Sequence, residues 1–400
     1  MYKTKKINKK KIAAMIIGFI VIISLCFYIT LSIFFMNSPK KEKTTIKKET
    51  QTNNERVSFV AVGDNIIHEN VFQYAKKQSA NGGYNFKPCY QNVKKYIQNK
   101  DLAYINQETI ISGDQNKISG YPAFNSPESL IDDLEDIGFQ LVSTASNHSM
   151  DQGINGLFSS CQIWRQHPHM LMSGIYDSQE DRNQIRVIEI NNIRFSFLAY
   201  TFGVNQYSNY NKISHQLKQY PYALAQFDEE QISNDITKAK ELSDVVIVSA
   251  HWGVEGKSQV TDFQKKYAQL FANLNVDLVI GTHNHLLQPM ETLAGTDGHQ
   301  TLVIYSLGNF LSTMKDVDNQ LEGMVTLDFV RKEKKIIIEN VTYIPLINHF
   351  NDQIVTIYAL KDYNDTLRSQ HSILKDQKDI LNTFRSNVKI IIPKNIEIEM

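Results

Sequence analysis

Hydrophobic and polar positions follow two regimes along the chain. Residues 12–36 form one uncharged run of 25 positions, set between a lysine-rich start and a polar stretch that reaches residue 55. From residue 57 onward the pattern becomes short apolar, β-branched runs, each followed by a polar cluster and then by a stretch of helical periodicity. That alternation predicts an α/β fold. The runs are 57–62, 102–105, 139–143, 195–199, 245–249, 278–280 and 302–305. They are continuous rather than alternating, which predicts strands covered on both faces.

The first regime reads as an anchor. A helix of 25 uncharged residues spans about 37 Å, more than the ~30 Å hydrocarbon core of a bilayer. Residues 1–37 are therefore expected to hold the chain in the cell membrane by a single transmembrane helix, with 38–55 as a solvated linker. A cleaved signal peptide is the alternative, but the run exceeds the usual ~7–15-residue apolar segment and its exit, FFMNSPKK, offers no small-x-small site. Lys3, Lys5, Lys6, Lys9, Lys10 and Lys11 favour a cytoplasmic N-terminus, which leaves the main domain extracytoplasmic. Lysines just beyond the run, from Lys40 to Lys48, weaken that asymmetry.

Composition removes some functions. With 42 basic and 42 acidic residues, the chain has no charge bias toward nucleic acid. Cys26, Cys89 and Cys161 are too few for a disulfide scaffold and lack zinc spacing, so Cys89 and Cys161 are expected as buried free thiols, with a single Cys89–Cys161 bridge the alternative.

Ligands in open α/β sheets gather at the carboxyl ends of strands, and here those ends are polar in a particular order. Asp64 follows the first run, Glu108 the second, Asn147 and His148 the third, His251 the fifth, and His283 and His285 the sixth. Singly, Asp64 or Asn147 serves as well to cap a turn or helix, and His251 to fill a core. The pair His283 and His285 stands out: two histidines at i and i+2 converge where the backbone turns, and Gly281 is the expected turn. As a set these are hard oxygen and imidazole ligands without thiolate, suited to Mn, Fe, Zn or Mg. Two such ions need a bridging carboxylate, and Glu108 sits in the middle of the order.

The segments VGDNIIHENV, NQETIIS, STASNHSMDQG, VVIVSAHWGVE, DLVIGTHNHLLQPME and VIYSLGNFL resemble, in order and spacing, the motifs of CapA-type poly-γ-glutamate capsule biosynthesis proteins, of the calcineurin-like metallophosphoesterase superfamily. The resemblance covers about residues 57–345. It implies a four-layer αββα sandwich over 56–345, with 346–400 as an extension of uncertain structure. It also implies one metal held by Asp64, Glu108 and His285, a second by Glu108, Asn147, His251 and His283, and His148 as the residue that steadies the transition state or protonates the leaving group.

The departures matter. Phosphoesterases of the superfamily carry a histidine two residues after the first Asp, where this chain has Ile66. His68 is a candidate substitute, but its spacing from Asp64 fits the usual geometry poorly, which favours a surface or helix-start residue. The bridging residue is Glu108 rather than Asp, so phosphatase activity is not simply inherited. Trp252, Glu255 and Asn309 are candidates for the site wall, with core packing the alternative for Trp252 and a tight turn for Asn309. Three functions follow: a part in the synthesis or export of an anionic polymer beside membrane-bound synthase subunits, an extracellular metal-dependent phosphoesterase, or a non-catalytic subunit.

Overall fold

In the computed structural model, residues 55–205 and 210–400 are described. The expected anchor, and the linker up to residue 54, lie outside them. Among the described residues no helix is long and apolar enough to cross a membrane.

Fifteen strands follow in chain order: β1 (Arg56–Asn65), β2 (Leu102–Gln107), β3 (Leu141–Ser143), β4 (Leu171–Ser173), β5 (Arg186–Ile190), β6 (Ile193–Thr201), β7 (Val245–His251), β8 (Leu278–Thr282), β9 (Met290–Ala294), β10 (Gln300–Ile304), β11 (Asn309–Leu311), β12 (Leu321–Lys332), β13 (Lys335–Phe350), β14 (Val355–Ala359) and β15 (Glu397–Ile398). Every one of the seven apolar runs overlaps one of these strands. The main helices are α1 (Glu69–Lys77), α2 (Ser129–Ile137), α3 (Gly153–Trp164), α4 (Glu229–Leu242), α5 (Asp262–Asn273) and α6 (Ile380–Ile391).

The strands form two sheets. One runs β14-β13-β12-β1-β2-β3-β4, with β11 added on β1 and β15 on β13; the other runs β5-β6-β7-β8-β10-β9. Successive side chains of β1 point to opposite faces, as the pleat requires. Val60 and Val62 join a core with Val71, Leu130 and Leu157 of α1, α2 and α3. Phe59 and Ala61 join Phe195, Ile247 and Ile280 of the second sheet. On the far side of that sheet, Val248 and Val279 meet Ile236 of α4 and Phe271 of α5. Three apolar interfaces thus separate four layers, helices outside and two sheets between, giving a mixed α/β sandwich. Cys89 and Cys161 are free and buried in the first of these cores.

The expected boundary at 345/346 falls inside β13, which pairs from Lys335 to Phe350 without a break in the chain. Residues 346–400 are no appendage. β14 extends the first sheet beyond β13, and Leu381, Phe384 and Val388, spaced as one stripe of α6, are buried in the core between the sheets. The motifs stop near 345 because they report the site, whereas this segment is held by packing.

β1 to β4 run parallel, as do β6, β7, β8 and β10. Parallel strands bring their carboxyl ends to one edge, and both sets deliver their polar termini there.

Candidate metal centre

Asp64, near the end of β1, is fully buried, and its carboxylate is held on both oxygens. Oδ1 accepts from Asn106 Nδ2 at 2.8 Å, and Oδ2 accepts from the backbone N–H of His283 at 3.0 Å. The backbone of Asp64 donates to Gly308 O at 3.0 Å, so close that a Cβ on the preceding Gly63 would lie 1.9 Å from that oxygen. Only glycine fits there.

Glu108 stands one residue beyond β2. Its backbone N–H donates to Asn65 O at 3.3 Å and its carbonyl accepts from Ser146 Oγ at 2.7 Å, which fixes the residue between the first and third strand ends. Its side chain is the opposite case. Both carboxylate oxygens are buried and neither has a hydrogen-bond partner. Around them lie His285 Nε2 at 3.7 Å and His148 Nε2 at 4.0 Å. Leaving a buried carboxylate without partners costs several kcal/mol, so such a group marks a place for a cation or a proton.

The histidines complete the cluster. His251 ends β7, with Nδ1 2.9 Å from Thr282 Oγ1 and Nε2 2.9 Å from Asn147 Oδ1. Ligand atoms of Asp64, Glu108 and His251 lie within 4.8 Å of one another. The His283 ring lies tilted against that of His251, centroids 4.7 Å apart, and its buried Nδ1 is unpartnered. His285 places Nδ1 3.3 Å from Asp64 Oδ2. All six expected ligand residues are therefore brought to one buried place from strand ends more than 200 residues apart.

The turn is not where the sequence put it. Gly281 lies within β8, where a Cβ would strike Tyr305 O at 1.9 Å and Trp252 Nε1 at 2.4 Å. The left-handed residues are His283, at φ 99°, and His285, at φ 59°. A non-glycine residue held there costs on the order of 1–3 kcal/mol, strain of the kind that clusters at functional sites.

Burial pushes the Glu108 carboxyl well above the usual range, against the pull of His285. Burial also lowers His251 and His283 well below the usual imidazole value, aided by neighbouring histidines. Burial opposes charge on His285 too, but the carboxylates of Glu108 and Asp64 outweigh it and draw its pKa up to about 10. Metal ligation takes carboxylates and neutral imidazoles, so protons on such groups are released when a divalent cation binds. The donor set, carboxylate, amide oxygen and neutral imidazole, fits a divalent ion.

Around the cluster, His148 Nδ1 lies 2.7 Å from Asp151 Oδ2, and its ring meets Phe124 edge-on at 4.7 Å. Asn147 Nδ2 donates to Asn205 at 3.0 Å and to Glu255 Oε1 at 3.2 Å, which places the exposed Glu255 at the mouth. Phe202 covers His283 at 4.6 Å. Asn309 of β11 pairs in register with Asp64, and its buried Oδ1 is unpartnered, so it walls the site from below. Trp252 does not line the mouth: it is fully buried, donates Nε1 to Tyr305 O and stacks on Phe227. Ile66 is buried and takes no part. His68 precedes α1 as its N-cap, so it starts a helix.

The sequence reading passed over Asn106, Asp151 and Thr282. Asp151 had a signal, three residues after His148. Thr282 and Asn106 had none until the strands were paired.

The family model for "Bacterial capsule synthesis protein PGA_cap" matches residues 58–314. The PGA biosynthesis protein CapA of Bacillus subtilis is 26% identical over 44% of this chain and 44% of its own length. The capsule biosynthesis protein CapA of Bacillus anthracis is 23% identical over 64% of this chain and 60% of its own. The chain thus spans about half the length of the curated relatives it matches. Among solved structures, the calcineurin-like phosphoesterase YfkN from Bacillus subtilis aligns at TM-score 0.41 and 14% identity, over 82% of this chain and 99% of that one. With more than half of its residues matched by the family model, this chain belongs to the bacterial capsule synthesis protein family PGA_cap.

Proposed function

We propose that this chain is a membrane-anchored, extracytoplasmic protein that takes part in making or exporting an anionic capsule polymer, poly-γ-glutamate or a relative, by means of a dinuclear metal centre. The family and the names of its curated relatives support the polymer. One observation carries the centre: both oxygens of Glu108 are buried without a partner among Asp64 and three histidines.

In this reading Asp64, Glu108 and His285 hold one divalent ion, and Glu108, Asn147, His251 and His283 hold the other. Bound there, Mn, Fe, Zn or Mg supplies Lewis acidity and a more acidic water. The chain's own residues do the rest. Asp151 holds His148 at Nδ1, which turns Nε2, 4.0 Å from Glu108 Oε1 and 3.4 Å from Asn205 Nδ2, toward the centre to move a proton at the leaving group. Phe202 and Phe124 exclude water from one face of His283 and of His148. Membrane-bound polymer synthase subunits are the expected partners, and a polymer or phosphate-ester oxygen is the expected ligand.

The test is metal analysis of the purified chain joined to a polymer assay on cells that lack it. Two divalent ions per chain and loss of surface polymer are expected. A metal-free chain defeats the centre. Unchanged polymer together with hydrolysis of phosphate esters makes the chain an extracellular phosphoesterase instead.

A further inference from the structure

His68 is largely buried at the start of α1, and the backbone N–H of Thr313 donates to its Nδ1 at 3.3 Å. A ring nitrogen that accepts an N–H carries no proton, so the hydrogen-bond network assigns the proton of the neutral ring to Nε2. Charging the ring would set two donors against each other. Burial agrees, lowering the pKa of His68 to about 3, with His285 and His148 adding to the effect. One nitrogen is then occupied and the other protonated, which leaves no lone pair for a metal.

The position of the ring gives that N–H a use. Phe124 meets His68 edge-on at 5.6 Å and His148 edge-on at 4.7 Å, so a single ring separates the two imidazoles on one wall. The loop that holds Nδ1 is itself held: Ser312 N–H donates to Asn348 Oδ1 at 3.2 Å, Gln320 Nε2 to Met314 O at 2.8 Å, and Ile66 N–H to Leu311 O at 2.8 Å. Among the described residues Nε2 has no hydrogen-bond partner.

We infer that His68 is a substrate-binding residue and not a metal ligand, its Nε2–H serving as a fixed donor to an anionic oxygen, phosphoryl or carboxylate, bound at the centre. This rests on the metal-centre reading above. The chain carries Ile66 where a ligand histidine is usual, and His68 supplies a donor instead of replacing that ligand.

The experiment uses the purified full-length chain, wild type, His68→Ala and His68→Gln, with metal content measured on each. Inorganic phosphate and γ-glutamylglutamate are titrated separately by calorimetry, and imidazole nitrogen NMR reads the tautomer. His68→Ala is expected to keep its full metal and to bind whichever anion the wild type binds about tenfold more weakly, the effect of one hydrogen bond to a charged group. His68→Gln, whose amide N–H stands in for Nε2–H, is expected to recover most of that loss. The inference is overturned if His68→Ala loses metal, if both variants bind as tightly as wild type, if the wild type binds neither anion, or if NMR finds the proton at Nδ1. A wild-type chain without divalent metal instead defeats the metal-centre reading, and this inference with it.

Discussion

Among the described residues, two clusters of buried histidines differ in their bonding. Near the C-terminus, His349 Nδ1 lies 2.7 Å from Tyr363 OH, while His371 Nε2 donates to Asn348 O at 2.8 Å and its Nδ1 accepts from the backbone of Ile373 at 2.9 Å. At the strand ends, Glu108 Oε1 and Oε2, His283 Nδ1 and Asn309 Oδ1 have no partner. Residue type and burial are alike in both places. What separates a structural cluster from a candidate site is whether the polar atoms are satisfied within the chain.

The largest way to break that contrast is Glu108→Gln, which keeps size and one carbonyl oxygen but removes the charge between the proposed ions. Metal affinity is expected to fall by more than the ~100-fold typical of residues that only support a ligand, with the thermal transition of the metal-free chain little changed. Full metal retention in Glu108→Gln would erase the distinction between the clusters.

His371→Ala is the reciprocal change. It leaves Asn348 O and the Ile373 N–H unpaired in a buried place, and denaturant unfolding should show a loss of about 2–4 kcal/mol with metal content intact. Loss of metal instead would make the C-terminal cluster part of the site.

Acid sharpens the comparison with a smaller effect. Burial pushes His349 and His371 down to about 4, against ~6.5 in an unfolded chain. The unfolded chain therefore binds more protons between these values. The stability contribution is complete above about pH 6.5 and is lost as pH falls toward 4. Unfolding midpoints measured from pH 7 to pH 4.5 should decline for the wild type and decline less for His371→Gln.

Much of the site was legible because strand-end ligands sit beside the runs that place them. Asp64 and His251 needed only the position where a run stops. Other features depend on partners far away in sequence. Trp252 reads like a mouth residue until Tyr305 and Phe227 close over it. Gly281 reads as a turn until the opposing carbonyl of Tyr305 explains it, and no pattern announces that histidines take the left-handed backbone. Glu322, buried and accepting from Asn309 N–H and Asn348 Nδ2, draws both partners from other strands and so carries no pattern of its own. The C-terminal segment carries packing without chemistry, so motifs passed it by.

The order of the first sheet also sets a timetable for biosynthesis. β1 is made long before β12, yet Arg56 pairs with Val330 and Val62 with Met324 of that strand. At roughly 5–20 residues per second of translation, tens of seconds separate the two strands. Until β12 emerges, β1 offers an open apolar edge next to Asp64, the kind of edge that pairs with a wrong neighbour. Fragments that stop before β12 are therefore expected to aggregate rather than fold, which light scattering of such fragments checks.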